Sequence, residues 1–376
     1  LLNSGKSLTI CKKKQLKLGE SVKFKLTLRH LLYAALAILF ARFIYLNRDQ
    51  LVDIVAVLRN GVWYHLLVVV MLFGLAVQNQ GRLYSSIYAM LHLPPERKKL
   101  SAIFLVSRFI SVAAPSGGLS GALPFIQDAR RRNLAVGTVL VANLIYLIVW
   151  YSSFTLILLV GLVHLSLVHD LQWFEVAEAI ILIGFTALLV AILALAWLAP
   201  TWLSAILHRV TRLIARIAVR FNRPVPVTVA QTNALADELT HTIHLIRHAG
   251  WGPALRPFAI ALLNELINLL ILFFVALAFG VQMNLGVLVA TYSIGILFFL
   301  ISPTPGGLGF VEGILILVMT SLGIDDGSAA TITLAYRGFT FWLPFILGFF
   351  ALRRLERNNK AEATLIEEFE PRSSQS

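Results

Sequence analysis

The chain has 376 residues, 58% of them hydrophobic and 14% charged, with mean hydropathy +0.80. Soluble domains carry about a quarter charged residues, so a soluble globular protein is excluded. Lys and Arg number 32 against 19 Asp and Glu, a net +13 that in a membrane protein marks cytoplasmic loops rather than nucleic-acid binding. The one cysteine, Cys11, excludes an intramolecular disulfide framework and a Cys-rich metal site. Apolar runs of about 16 to 30 residues are long enough to cross or deeply enter a hydrocarbon core of about 30 Å. They predict an all-α polytopic membrane protein with about six transmembrane helices and two re-entrant broken hairpins.

In chain order, residues 1–30 form a polybasic tail with eight Lys or Arg against Glu20, expected on the cytoplasmic side. A first span runs from Leu31 to Leu46. A charge-balanced loop, Asn47 to Gly61, leads to a second span, Val62 to Gln78. The next connection holds Arg82, Arg97, Lys98 and Lys99 and belongs inside. The apolar stretch Leu100 to Phe125 is broken at Pro115-Ser116-Gly117-Gly118-Leu119-Ser120-Gly121 and meets Arg130, Arg131 and Arg132. Basic flanks on both sides predict that it does not cross. A Pro/Gly break frees backbone groups that lipid cannot satisfy, so the break belongs inside protein, in a hairpin entered from the cytoplasm.

Leu134 to Val163 then spans outward to a loop, His164 to Val176, with Asp170 and Glu175 but no Lys or Arg. Ala177 to Ala199 returns. Residues 200–253 read as a cytoplasmic amphipathic insertion lying on the membrane surface, within a Pro200 to Arg256 segment holding seven Arg. Pro257 to Phe279 spans again. Leu285 to Leu322 is broken at Ser302-Pro303-Thr304-Pro305-Gly306-Gly307-Leu308-Gly309 and ends at Asp325-Asp326, which predicts a second hairpin, entered from outside. Ser328 to Phe350 returns to Arg353, Arg354 and Arg357, and 356–376 reads as a disordered tail. Both termini are expected in the cytoplasm, in the cell's inner (plasma) membrane.

Gly117-Gly118-Leu119 recurs as Gly306-Gly307-Leu308, each after a Pro. Each half reads span, span, broken hairpin, span, and the charge flanks place the two hairpins on opposite sides. The membrane domain, 31–355, therefore reads as two repeats of opposite topology, 31–163 and 177–350, a recurring plan of secondary transporters.

Ionisable groups at membrane depth cost about 3 kcal/mol or more and mark functional sites. Four are interior candidates: Arg108, Glu265, Glu312 and Arg337. Glu312 lies one turn after Gly309, where a half-helix should begin and its dipole favours a carboxylate. Arg337 lies at comparable depth, so an ion pair is expected, either a structural clasp or a substrate or proton site. Arg108 either faces the interior or snorkels to the headgroups. With the break residues Pro115, Gly117, Gly118, Pro305, Gly306 and Gly307, these four form the candidate lipid-binding set.

His241, His244 and His248, with Asp237, share a helix face at ligand spacing, but such a stripe is more often the wet side of an interfacial helix. Gly307 to Gly313 follows no strand and precedes no Lys, so it is neither a Rossmann fingerprint nor a P-loop. No metal, cofactor or ATP-binding segment is implied, and transport would be passive or ion-driven. No nucleophile and base constellation is recognised, so an enzyme is not expected.

The stretch Ser302 to Glu312, followed by Ala335-Tyr336-Arg337 and Thr340-Phe341-Trp342-Leu343-Pro344, resembles the signature of the lysylphosphatidylglycerol synthase transmembrane-region family, a flippase-like membrane domain. The resemblance covers about Leu31 to Leu355. It implies a lipid translocase acting on an anionic or modified phospholipid or a polyprenyl-phosphate-type lipid. About twenty polar residues follow Leu355 where some members carry a cytosolic aminoacyl-transferase domain, so this chain reads as a stand-alone member. The first break lacks the glutamate of the second. Alternatives are a membrane-embedded lipid-modifying enzyme and a non-catalytic partner of a separate envelope enzyme. The expected partner is a membrane lipid with an anionic headgroup, with self-association left open.

Overall fold

The computed structural model describes residues 48–113, 119–168, 173–198, 252–302 and 304–369, and scattered positions at 42, 45, 209, 211, 212, 216, 234, 238 and 242. The polybasic tail, nearly all of the first span, Pro115, Gly117 and Gly118, the Asp237 and histidine stripe, and residues 370–376 lie outside the described residues. The chain divides into two units after Asp53; the site belongs to the second.

The described residues are helical, with no strand among them. The helices are α1 (Arg48–Asn60), α2 (Trp63–Met90), α3 (Arg97–Ala113), α4 (Leu123–Arg131), α5 (Val136–Val168), α6 (Trp173–Leu198), α7 (Gly252–Ala278), α8 (Leu285–Ile301), α9 (Phe310–Ser321), α10 (Asp326–Arg337) and α11 (Leu343–Phe369). A 3₁₀ turn, Leu119–Ala122, precedes α4, and a π-helical turn, Gly338–Trp342, joins α10 to α11. Four helices are long and apolar enough to cross a membrane: Trp63–Met90, Val136–Val160, Gly252–Ala278 and Asp326–Leu355. Shorter apolar helices accompany them.

Four expectations need correction. Asn47 to Gly61 is not a loop but carries α1, because balanced charges do not break a helix and the stretch holds no Pro or Gly before Gly61. The second span does not stop at Gln78: α2 continues to Met90, so Arg82 is on a helix rather than in a connection. Its later polar residues Asn79, Gln80, Ser85 and Ser86 are buried against protein, and Pro94-Pro95 follows its end. Most of the loop His164 to Val176 is likewise helical, since α5 runs to Val168 and α6 begins at Trp173. The tail after Leu355 is helix as far as Phe369, rich in Ala, Leu, Glu, Lys and Arg with no Pro or Gly before Pro371.

The first broken segment folds back on itself. Lys99 at the start of α3 pairs with Asp128 near the end of α4 at 2.9 Å, and Arg132 bridges Asp128 and Glu96. In the second, α8 and α9 pack together around the Ser302 to Gly309 break. Their first arms, α3 and α8, each have 17 residues.

Glycine sets two helix crossings. A Cβ on Gly81 of α2 would lie 1.9 Å from the Ser101 hydroxyl and 2.7 Å from the Arg97 carbonyl oxygen on α3. One on Gly348 of α11 would lie 2.3 Å from the Leu105 carbonyl oxygen, again on α3. α7 shows how side chains are distributed: Leu263, Leu266 and Leu270 are exposed, while Asn264, Glu265 and Ile267 are buried. Apolar outside and polar inside is the arrangement a lipid solvent selects.

Candidate functional site

The Ser302 to Gly309 break turns on glycine. Gly306, Gly307 and Gly309 have φ of 64°, 78° and 75°, where a Cβ is strained. The Gly307 N–H donates to the Thr304 carbonyl at 3.0 Å, and the Thr304 hydroxyl donates to the Leu308 carbonyl at 2.9 Å. These bonds replace part of the helical ladder that the break removes. α9 then begins at Phe310, with Glu312 in its first turn, as its spacing from Gly309 predicts.

Arg337, the last residue of α10, donates from Nε to Glu312 at 2.7 Å and from a terminal nitrogen to the Gly306 carbonyl at 2.8 Å. Its guanidinium lies 4.5 Å from the Phe341 ring centroid. Glu312 and Arg337 are 6% and 5% exposed, so the expected ion pair is present and buried. The π turn after Arg337 brings Phe341 over the break, where its ring lies so close to Gly306 that a Cβ there would be 2.3 Å away. π turns recur at functional positions.

Arg108 faces inward. This half-buried guanidinium on α3 is 5.7 Å from the centroid of Phe299, on the first arm of the other broken segment. Its electrostatic neighbours are Tyr146, Arg337, Tyr336 and Tyr151. Among the described residues no Asp or Glu lies at ion-pair distance, and none accepts a hydrogen bond from it.

Glu265, on α7, is fully buried. Trp150 Nε1 donates to its Oε1 at 2.7 Å, Asn264 Nδ2 reaches the same oxygen at 3.5 Å, and the Tyr292 hydroxyl donates to Oε2. All three donors are neutral.

Of the candidate residues, then, Gly306, Glu312 and Arg337 are brought into direct contact, and Gly307 shapes the same turn. Pro305 opens that turn, Arg108 approaches it from α3, and Glu265 sits in a separate polar cage. Sequence reasoning passed over Trp150 and Tyr292, which look like ordinary membrane aromatics until the fold turns them onto Glu265. It also passed over Glu238, which accepts a hydrogen bond from the Gly137 N–H at 2.7 Å at the start of α5, and over Thr242, 2.8 Å from the Thr138 hydroxyl. At those positions the insertion meets protein as well as any membrane surface.

A bundle of long apolar helices with buried ionisable groups and a glycine break in its interior defines a multi-pass α-helical membrane protein. The family model for the lysylphosphatidylglycerol synthase TM region matches residues 27–348, so the chain belongs to that family. No curated protein and no solved structure matches the chain.

Proposed function

We propose that the protein is a lipid translocase that carries a lipid with an anionic, phosphate-bearing headgroup across the membrane. The observation that carries this reading is Arg108: a half-buried guanidinium within electrostatic reach of a second arginine, with no carboxylate partner among the described residues. Five N–H donors and a charge in an apolar interior are costly unless an anion completes them, and a phosphate suits their fork geometry. The exposed apolar helix faces supply the acyl-chain side of such a ligand. Family membership supports a role in lipid metabolism or translocation.

In this reading the two broken segments enter the membrane from opposite faces, as halves of an inverted repeat, and meet near its middle. Arg337 is held by Glu312 and Gly306, while Arg108 stays open for the headgroup. Both termini lie in the cytoplasm.

The test is transbilayer movement of fluorescent phosphatidylglycerol in vesicles containing the purified chain. Arg108→Gln should fold and lose movement by at least tenfold. Arg337→Met alone removes the buried ion pair with Glu312 and should cost about 3–5 kcal/mol of stability, whereas the double variant Glu312→Gln, Arg337→Met should regain folding without regaining movement. Normal lipid movement by either folded variant would refute the reading. Chemical conversion of the lipid, seen by mass spectrometry, would replace a carrier with an enzyme.

A further inference from the structure

We infer that Glu265 is a proton-binding site linked to the anion site, so that the protein takes up a proton together with its anionic headgroup. This rests on the translocase reading above and adds the ion to which transport is coupled. A carboxylate buried in a membrane protein needs a cation or a proton, and Glu265 has only neutral donors, Trp150, Asn264 and Tyr292.

Every helix packed on α7 presents polar groups to that helix. From α5 come Trp150 and Tyr146, with Tyr151 next to them; from α8 comes Tyr292; from α10 come Tyr336 and, beyond it, Arg337. α2 contributes Asn79, which donates to the Ile260 carbonyl at 2.8 Å, and His65, whose ring lies 6.2 Å from that of Phe274, roughly two and a half turns away. No cation among the described residues bonds to Glu265.

The cage accommodates both protonation states. As a carboxylate, Glu265 accepts from all three donors. As an acid, Glu265 keeps Oε1 as acceptor for Trp150 and Asn264, and a proton on Oε2 can be donated to the Tyr292 oxygen once the Tyr292 hydroxyl rotates. The proton resides on Glu265, and nothing else changes charge.

Glu265 is also placed to affect the anion site. Tyr146 lies within electrostatic reach of both Glu265 and Arg108, and Tyr336 within reach of Glu265, Arg108 and Arg337. The carboxyl and both guanidiniums therefore share tyrosine neighbours. With Glu265 ionised, the cluster balances two guanidiniums against two carboxylates and is neutral. With Glu265 protonated it carries one positive charge and binds an anion better. Reciprocity then requires a bound anion to favour the proton.

Two measurements on the full chain test this. In phosphatidylcholine nanodiscs, calorimetric titration with short-chain phosphatidylglycerol should show affinity rising on acidification, by up to about tenfold per pH unit for one linked proton. Glu265→Gln should bind as tightly as the acidified native chain, with no pH dependence. Independently, infrared difference spectra of the native chain carrying carbon-13 glutamate should show a protonated-carboxyl stretch that appears with acid and shifts in Tyr292→Phe or Trp150→Phe. That arm decides the question even if Glu265→Gln does not fold. A pH-independent native affinity, a Glu265→Gln variant that keeps the native slope, or no such stretch overturns the inference. The stretch without any lipid binding would instead leave the proton site standing and overturn the translocase reading.

Discussion

Gly306 and Gly309 share a positive φ, 64° and 75°, yet differ in what surrounds them: the Phe341 ring fills the space beside Gly306, and nothing lies within 4 Å of the Gly309 Cβ position. Alanine at either position meets backbone strain of about 1–3 kcal/mol, but only at Gly306 must a buried aromatic ring also move. Gly306→Ala should therefore lower the melting temperature more than Gly309→Ala, and equal shifts in thermal unfolding would contradict the packing seen here. Asp325 yields a pH prediction. The Ser328 backbone N–H, donating to it at 2.8 Å, holds this exposed carboxyl below the usual aspartate range. A lowered native value means that the cap contributes fully above the ordinary aspartate range and is lost as pH falls through the native one. The melting temperatures of native protein and Asp325→Ala should differ by a constant amount near neutrality and converge only in strong acid. At this scale Glu312 and Arg337 were legible as a pair, because a glycine break fixes where a half-helix starts and rise per residue fixes depth. Trp150 and Tyr292 were not, since no local pattern says which buried carboxyl an aromatic donor will meet.

The elements follow from helix physics more faithfully than from apolar runs. α2 outlasts its hydrophobic stretch by about three turns, in which polar Asn79, Gln80, Ser85 and Ser86 are buried, and α1 and the end of α11 form without one. Hydropathy reports which residues tolerate lipid, whereas a helix ends where Pro, Gly or a cap ends it. The crossing of α3 with α11 depends on Gly348, which allows the Leu105 carbonyl to approach, while Phe109 packs 5.1 Å from Phe345 and 5.7 Å from Phe349, centroid to centroid. Gly348→Val should force these helices apart. The expected result is a loss of about 1–3 kcal/mol in thermal unfolding, with lipid movement impaired because Arg108 rides on α3; unchanged stability would mean the two backbones do not approach as described.

For the molecule as a whole, the topology that the translocase reading needs is open to direct labelling. Arg131, at the end of the first broken segment, and Asp325, after the second, are both exposed. In a Cys11-free background, single cysteines at 131 and 325 should react with impermeant reagents from the cytoplasmic and outer sides respectively; labelling from one side would overturn the inverted repeat. Composition and spacing were enough to determine a polytopic helical membrane protein, its second glycine break and the Glu312 to Arg337 pair. These depend on local quantities: apolar length, backbone strain at glycine and rise along a helix. Only the tertiary structure decided that Arg108 faces the second break rather than the headgroups, that the π turn lays Phe341 over Gly306, and that Glu265 meets neutral donors from two other helices. Each of those depends on which faces of distant helices come together, and long-range packing is invisible to any window along the chain.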